Sequence, residues 1–208
     1  MRKDAMKILF VHGMGATPWD AFPTLRRLRK AGHATATFAY FASVETLASI
    51  QARLVARLAA LARDGDYALI GHSLGGVLLR HALCSLPAGT RQPRHLFLVG
   101  SPMVATRTNI YLNRFRLYKL LFGECGQLVA SPQRMAAIGT PDIPLTCVAG
   151  TLGFPGRRQP FGGAANDGIV QEAELRPELF TDVVRLPAHH PLLPAHRQLA
   201  HLVHQRLS

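Results

Sequence analysis

The apolar and polar positions of this chain form two alternating patterns. Short, almost continuous apolar runs predict buried strands, and longer stretches with an apolar residue every third or fourth position predict amphipathic helices. The clearest helix is predicted over 45–63, and another over about 22–30, closed by Gly32. The predicted strands are 7–11, 35–40, 67–70, 95–100, 144–150 and 182–186. Apolar strands that alternate with helices indicate an α/β fold, with a mostly parallel sheet of about six strands covered on both faces.

The alternation is interrupted between Ser101 and Ile143. A helix is predicted over 109–122, with apolar residues on one side, and a second short helix over about 128–138. With 208 residues, the chain is long enough for one compact domain. We therefore expect a single domain over 1–208 that contains a helical insertion at about 103–140. Such an insertion could cover a site as a cap, or could simply pack on the edge of the sheet.

The segment around Ser73 predicts a reactive serine. An apolar run ends in Gly-His-Ser-Leu-Gly-Gly at 71–76, and a helical pattern follows it directly. This strand, sharp turn and helix would hold Ser73 in a strained conformation with its hydroxyl above the sheet. Since Leu74 begins the helix, its backbone N–H has no partner within the helix and can point toward a developing oxyanion.

A serine needs a base, and two adjacent histidines are the candidates. Among the ten histidines, His189 and His190 alone follow directly on a late strand and precede the closing helix, predicted over about 195–207. The carboxyl ends of parallel strands share one edge of the sheet, so either ring can reach Ser73. The residue pattern alone leaves both histidines open.

The candidate acid is Asp167, in the loop after the strand that ends at Gly150. This position gives the chain order Ser, Asp, His that is expected for such a sheet. Its Asp-Gly pair is also typical of an ordinary turn. Glu172 and Glu174 are nearby alternatives, and Asp142 is a weaker one because it precedes its strand.

A second oxyanion donor is predicted after the first strand. The sequence His-Gly-Met-Gly at 12–15 is a glycine-rich loop at the carboxyl end of that strand. The backbone N–H of Met14 can therefore join that of Leu74 in holding a negative charge that develops above Ser73.

These motifs resemble the α/β-hydrolase superfamily. Phe-Val-His-Gly-Met-Gly, Gly-His-Ser-Leu-Gly-Gly, Asn-Asp-Gly-Ile-Val and Leu-Pro-Ala-His-His-Pro-Leu-Leu occur in the order and spacing of its small lipase-like and esterase-like members, akin to the minimal bacterial lipases. The resemblance spans about 7–207. The family often has Leu-Pro-x-Ser-His before its catalytic histidine. That alignment places His190 at the catalytic position, although histidine replaces the usual serine, so His189 stays an alternative.

The resemblance implies a serine hydrolase that cleaves carboxylic esters through an acyl-enzyme on Ser73. It implies His190 as base, Asp167 as its orienting acid, and catalysis without a metal or an organic cofactor. The expected substrate is a small-molecule ester, with an acyl or lipid-like group favoured by the apolar insertion. An acyltransferase or thioesterase with the same triad is an alternative. From another class, a non-catalytic membrane- or partner-binding protein on a hydrolase scaffold is the rival hypothesis.

Charge and cysteine content bear on partners and compartment. The formal net charge is +12, with basic residues clustered at 2–7, 26–30, 114–119 and 157–158. The clusters lack interleaved aromatic residues and a helix-turn-helix pattern, so no nucleic acid is expected as a partner. They form either a solvated surface or a peripheral contact with an anionic membrane. Three cysteines without a C-x-x-C pair, and no apolar run near membrane-spanning length, predict a cytoplasmic location.

Overall fold

A single six-stranded sheet organises the fold. The computed structural model describes residues 5–153 and 163–208. All pairings in the sheet are parallel, in the order β2-β1-β3-β4-β5-β6. The strands are β1 (Lys7–Val11), β2 (Ala34–Phe38), β3 (Tyr67–His72), β4 (His95–Val99), β5 (Leu145–Gly150) and β6 (Asp182–Leu186). The predicted α/β-hydrolase fold class is confirmed, and the basic pair at 157–158 lies outside the described residues.

Helices cover both faces of the sheet. Because successive side chains of a strand point to opposite faces, β1 contributes Leu9 and Val11 to one apolar core and Ile8 and Phe10 to the other. The helices are α1 (Phe22–Lys30), α2 (Leu47–Arg63), α3 (Leu74–Cys84), α4 (Arg107–Leu112), α5 (Arg116–Val129), α6 (Pro132–Ala136) and α7 (Arg197–Leu207). Helices α2 and α3 pack in the first core, and α1 and α7 pack in the second.

The segment between β4 and β5 differs in detail from the prediction. The single helix predicted over 109–122 is wrong, because Phe115 is extended (φ −92°, ψ 132°) and separates α4 from α5. Helix α4 begins where the Thr106 side chain accepts a hydrogen bond from the backbone of Asn109. The helix predicted over 128–138 is the shorter α6, which starts at Pro132 after a Ser131 cap.

Within the described residues, none of these helices combines the length and the apolar character needed to cross a bilayer. The strand bounds also shift slightly from the predictions. Strand β2 ends at Phe38 rather than at Tyr40, and a 3-10 turn over His190–Ala195 precedes α7, which begins at Arg197. All these shifts leave the carboxyl ends of β1, β3, β4, β5 and β6 at one edge, where the predicted site residues follow them.

Candidate active site

Ser73 lies in a strained turn between β3 and α3. Its φ of 51° and ψ of −122° are outside the regions that a non-glycine residue ordinarily occupies. Gly75, two residues after Ser73, lies very close to β1. A Cβ at this position would lie 2.2 Å from the carbonyl oxygen of Val11, so only glycine fits. The backbone N–H of Ser73 donates to the Val99 carbonyl at 2.9 Å, which ties the turn to β4. The surrounding strands therefore fix the position of Ser73.

His190 and Asp167 form a buried hydrogen-bonded pair. His190 Nδ1 lies 2.6 Å from Asp167 Oδ2, and the His190 backbone N–H donates to the Asp167 carbonyl at 2.9 Å. Both side chains are almost completely buried. With Nδ1 donating to the carboxylate, the proton-free nitrogen of a neutral ring is Nε2. The pair is therefore arranged to present a basic nitrogen away from the acid.

The turn at Asp167 also holds its carboxylate in place. Oδ1 accepts from the backbone N–H of Ile169 at 3.1 Å and of Val170 at 2.8 Å. Gly168 adopts a φ of 99°, which an L side chain rarely allows, and so closes the turn. The Asp-Gly pair is therefore both a turn and an anchored carboxylate, rather than one or the other.

The alternative base and acids predicted from the sequence have other environments or other partners. His189 and Asp142 are exposed, and Glu172 pairs with Arg185. Glu174 is buried, and its oxygens accept from the backbone N–H groups of Arg107 and Gln171. Burial raises the pKa of Glu174 above its ordinary value. Among the described residues, no three His, Cys, Asp or Glu side chains are grouped as ligands of a metal ion would be.

His72 contacts His190, a role that its sequence did not reveal. Its Nε2 donates to the carbonyl oxygen of His190 at 3.1 Å, and the two rings lie 4.8 Å apart. Burial, and to a lesser extent the nearby His190 ring, lowers the pKa of His72 well below its ordinary value. His72 is therefore neutral, and it fixes the backbone of His190 from the nucleophile turn itself. Its place between Gly71 and Ser73 was the only available signal.

Tyr40 supports the His-Gly loop after β1, also without a sequence signal. Its ring stacks on His12 at 4.3 Å, and its hydroxyl donates to the His12 carbonyl at 3.0 Å. The Tyr40 backbone N–H donates to His12 Nε2 at 3.3 Å. His12 Nδ1 donates to the Gly13 carbonyl at 2.8 Å. These bonds hold the loop that carries Met14.

Two backbone donors flank Ser73 without hydrogen-bond partners in the described part of the chain. They are the N–H groups of Met14 and of Leu74, the first residue of α3. Both residues line the same cavity as Ser73. Unpaired N–H groups in this position can stabilise a negative charge on a substrate oxygen.

A cavity of about 390 Å³ opens above Ser73 and His190. Within the described residues, Ser73 Oγ makes no hydrogen bond with His190, and the two side chains meet as walls of this cavity. Its far wall consists mostly of apolar side chains from α4, α5 and the loop after Asp167: Leu112, Tyr118, Phe122, Val129, Ile169 and Val170. The site therefore combines one polar wall with a space suited to an apolar group.

The geometry is that of an α/β hydrolase, and the family comparison agrees. Residues 8–206 match the model of the alpha/beta hydrolase family, so the chain belongs to this family, whose members are generally enzymes. A search of curated proteins gives no significant match.

Solved structures share the fold at low sequence identity. The lipase BlEst2 of Bacillus licheniformis superposes with a TM-score of 0.72 at 16% identity, over 99% of this chain and 93% of the lipase. The RedJ thioesterase of Streptomyces coelicolor has a TM-score of 0.63 at 17% identity, over 98% and 91% of the two chains. Tomato methylketone synthase I, complexed with 2-tridecanone, has a TM-score of 0.65 at 11% identity, over 96% of each chain. These likenesses show the fold alone.

Proposed function

We propose that this protein is a serine hydrolase that cleaves carboxylic esters through an acyl-enzyme on Ser73. The observation that carries the proposal is the buried His190–Asp167 pair, which opens onto the same cavity as the strained Ser73. An oriented base that shares a protected cavity with a partly accessible serine is what nucleophilic acyl transfer requires.

In the first half-reaction, Ser73 Oγ attacks the carbonyl carbon of the ester while His190 Nε2 accepts the hydroxyl proton. Asp167 keeps Nδ1 protonated and stabilises the imidazolium that forms. The carbonyl oxygen becomes an oxyanion, to which the Met14 and Leu74 amides donate. Collapse of this intermediate breaks the bond to the alcohol oxygen, and His190 returns the proton to the leaving alcohol.

In the second half-reaction, water takes the place of the alcohol. His190 removes a proton from the water as its oxygen attacks the acyl carbon, and the same two amides hold the second oxyanion. Collapse releases the carboxylic acid, and His190 returns the proton to Ser73 Oγ. His190 Nε2 therefore carries the proton in both half-reactions, from Ser73 to the alcohol and then from water back to Ser73.

The apolar wall supports an ester with an acyl or lipid-like group. Leu112, Phe122 and Val129 line the far wall of the cavity with apolar side chains. A substrate with several hydroxyl groups would lose hydrogen bonds to water on entering this space, whereas an acyl chain would gain burial.

The experiment is hydrolysis of p-nitrophenyl esters from acetate to palmitate by the wild-type protein and by Ser73→Ala, with acyl-coenzyme A thioesters in parallel. Wild-type activity that disappears in Ser73→Ala supports the proposal, and the preferred chain length measures the depth of the cavity. Activity on thioesters alone would replace ester hydrolysis with the thioesterase alternative. Equal inactivity of both proteins on every substrate would contradict a hydrolase and favour acyl transfer to a specific acceptor or a binding role. We expect the protein to act in the cytoplasm.

A further inference from the structure

The helices above the cavity expose an unusual amount of apolar surface. Helix α5 and its surroundings present large apolar side chains to solvent with exposed fractions from 41% to 73%. They form what we call the docking surface: Ile110, Tyr111, Phe115, Leu117, Leu120 and Leu121. Large contiguous apolar patches of this kind are uncommon on soluble monomers and mark interaction sites.

Helix α5 packs on the rest of the protein through a different, buried face. The docking surface is therefore not the face that joins α5 to the core. Tyr118 and Cys125 point into the protein, where Tyr118 donates to Asn109 at 2.8 Å. Leu117, Leu120 and Leu121 are spaced three and four residues apart, so they form a second stripe along the helix. By contrast, the regularly spaced apolar residues of α2, such as Ile50 and Leu54, are completely buried.

Positive charge is interspersed with these apolar side chains. Arg114, Arg116 and Lys119 are exposed, and no acidic residue occurs from 107 to 123. None of the three makes an ion pair with another described residue. The surface therefore offers cations and apolar groups side by side, without an internal counter-charge.

A second exposed apolar group lies on the turn after the His-Gly loop, which also carries the acidic Asp20, bonded to Thr17. Ala16 and Asp20 line the cavity together with Phe122 of α5, so the turn that contains Trp19 borders the same opening. Trp19 is 75% exposed. It lies beside Phe22, over which the guanidinium of Arg29 is placed at 6.0 Å. Tryptophan with neighbouring cations is typical of side chains at the boundary of lipid headgroups.

We propose that the docking surface binds the headgroup and acyl boundary of an anionic lipid bilayer. Charge complementarity selects this occupant, because unpaired arginines and lysines face a negative surface while the leucines and aromatic rings enter the apolar layer below it. A second copy of this chain would instead bring two positive surfaces together. An acidic carrier protein would satisfy the charges but offers no comparable layer for so many separate apolar side chains.

Docking in this orientation would place the mouth of the cavity against the bilayer. A lipid-like ester could then reach Ser73 without leaving an apolar environment, and this benefit rests on the proposed function. Binding itself requires no catalysis. It can therefore be measured on Ser73→Ala protein, so that failure of the docking surface and failure of ester hydrolysis are separate results.

The experiment is co-sedimentation of Ser73→Ala protein with vesicles of phosphatidylcholine alone and of equal parts phosphatidylcholine and phosphatidylglycerol. We expect binding to the anionic vesicles only. In the same background, Leu117→Ser with Leu120→Ser should weaken binding roughly tenfold or more, and Arg114→Glu with Arg116→Glu should weaken it by about as much.

Two matched variants control for general effects. Leu179→Ser alters a leucine that is 54% exposed just before β6, at the opposite edge of the sheet. Arg57→Glu with Arg63→Glu makes the same change in net charge on exposed positions of α2. Both controls should bind within about twofold of the parent protein, because they lie away from the docking surface.

Three results would overturn the proposal. The first is no binding of the parent protein to anionic vesicles, including the case in which it binds an acidic acyl carrier protein instead. The second is an equal loss of binding with the two pairs of arginine variants, since that would reflect net charge alone. The third is a dimer in sedimentation velocity that the leucine pair dissociates, since that would make the surface an interface between copies.

Discussion

The two walls of the cavity are built in opposite ways. On the sheet edge, Ser73, Asp167 and His190 are each fixed by backbone hydrogen bonds to neighbouring strands or turns. On the facing wall, the extended Phe115 separates α4 from α5, and α5 contains a non-helical Gly123 with a φ of 48°. The first wall buries Asp167 and His190, whereas the helices of the second also expose large apolar side chains such as Leu120.

Under the proposed function, one wall would carry out the chemistry and the other would recognise the substrate. Proton transfer and oxyanion stabilisation depend on heavy-atom distances near 3 Å, so residues with these roles need an over-determined backbone. A wall that contacts an acyl chain or a bilayer needs apolar area rather than exact geometry, because burial of apolar surface is non-directional. Substitutions on the two walls should therefore have unequal effects, and the following variants test that contrast.

The largest effect is expected for Asp167→Asn. The amide can no longer stabilise an imidazolium and can favour the wrong tautomer of His190, so kcat for ester hydrolysis should fall roughly 10³- to 10⁴-fold. Steady-state kinetics with the preferred p-nitrophenyl ester measures this. Glu172→Gln is the control, since Glu172 is in the same loop but pairs with Arg185, and it should stay within about twofold. Similar losses in both variants would remove Asp167 from its proposed role.

The second-largest effect is expected for Gly75→Ala, which should lower the free energy of unfolding. The added methyl would meet the Val11 and His12 carbonyl oxygens at 2.2 and 2.5 Å, which are backbone atoms that cannot turn away. We expect a loss of roughly 3 kcal/mol in the free energy of unfolding, measured by urea denaturation. Gly32→Ala separates this clash from backbone strain, since its φ is 100° but nothing lies within 4 Å. It should lose only about 1–2 kcal/mol, and an equal loss would show that the close approach is unimportant.

His72→Phe should lower kcat about fivefold, because one hydrogen bond to the His190 backbone is lost. His72→Gln, which keeps an N–H donor, should recover part of that loss. The exposed neighbour His189→Gln should leave kcat unchanged. If His72→Gln and His72→Phe were equally impaired with kcat and KM both altered, His72 would have only a packing role.

The same histidine predicts a pH dependence of stability. Burial lowers the pKa of His72 below its ordinary value of 6.5, so the unfolded chain binds a proton in a range where the folded protein does not. The contribution of neutral His72 to the free energy of unfolding is therefore fully present above about pH 6.5 and is lost as the pH falls below that value. Thermal unfolding between pH 7 and pH 5 should show a smaller decrease in His72→Gln than in the wild type. An identical decrease in both proteins would exclude His72 as a contributor.

The smallest effect is expected on the facing wall. Leu120 is 73% exposed, so Leu120→Ser should change the free energy of unfolding by less than about 0.5 kcal/mol. Urea denaturation next to the Gly75→Ala series measures this directly. A loss comparable to that of Gly75→Ala would mean that Leu120 is buried in solution and that the two walls do not differ as described.

The fold was predictable wherever local patterns and tertiary packing agree. The apolar runs of β3 and β4 are buried at every position, and the regular spacing in α2 matches its buried stripe. The pattern at 109–122 did not indicate a buried face, because Ile110, Leu117, Leu120 and Leu121 are exposed, whereas helical periodicity is normally interpreted as a core face. The break at Phe115 carries no glycine or proline that would have marked it.

The candidate site was predictable where a short motif carries its own geometry. The glycines around Ser73 and the Asp-Gly turn specify backbone shapes, and the structure joins Asp167 to His190 rather than to His189. Tyr40 and His72 were missed because their contacts, to His12 and to the His190 carbonyl, link residues 28 and 118 positions apart. Such distant pairs leave no local pattern. The catalytic roles themselves stay predictions.

The central claim is that His190 and Asp167 activate Ser73 as a nucleophile. Reaction with a fluorophosphonate ester, followed by intact-protein mass spectrometry and peptide mapping, tests this without knowledge of the natural substrate. We predict a single phosphonyl adduct on Ser73 in the wild-type protein, no adduct in Ser73→Ala, and much slower labelling in His190→Ala. An unmodified wild-type protein, or equal labelling of the wild type and Ser73→Ala, would contradict the claim.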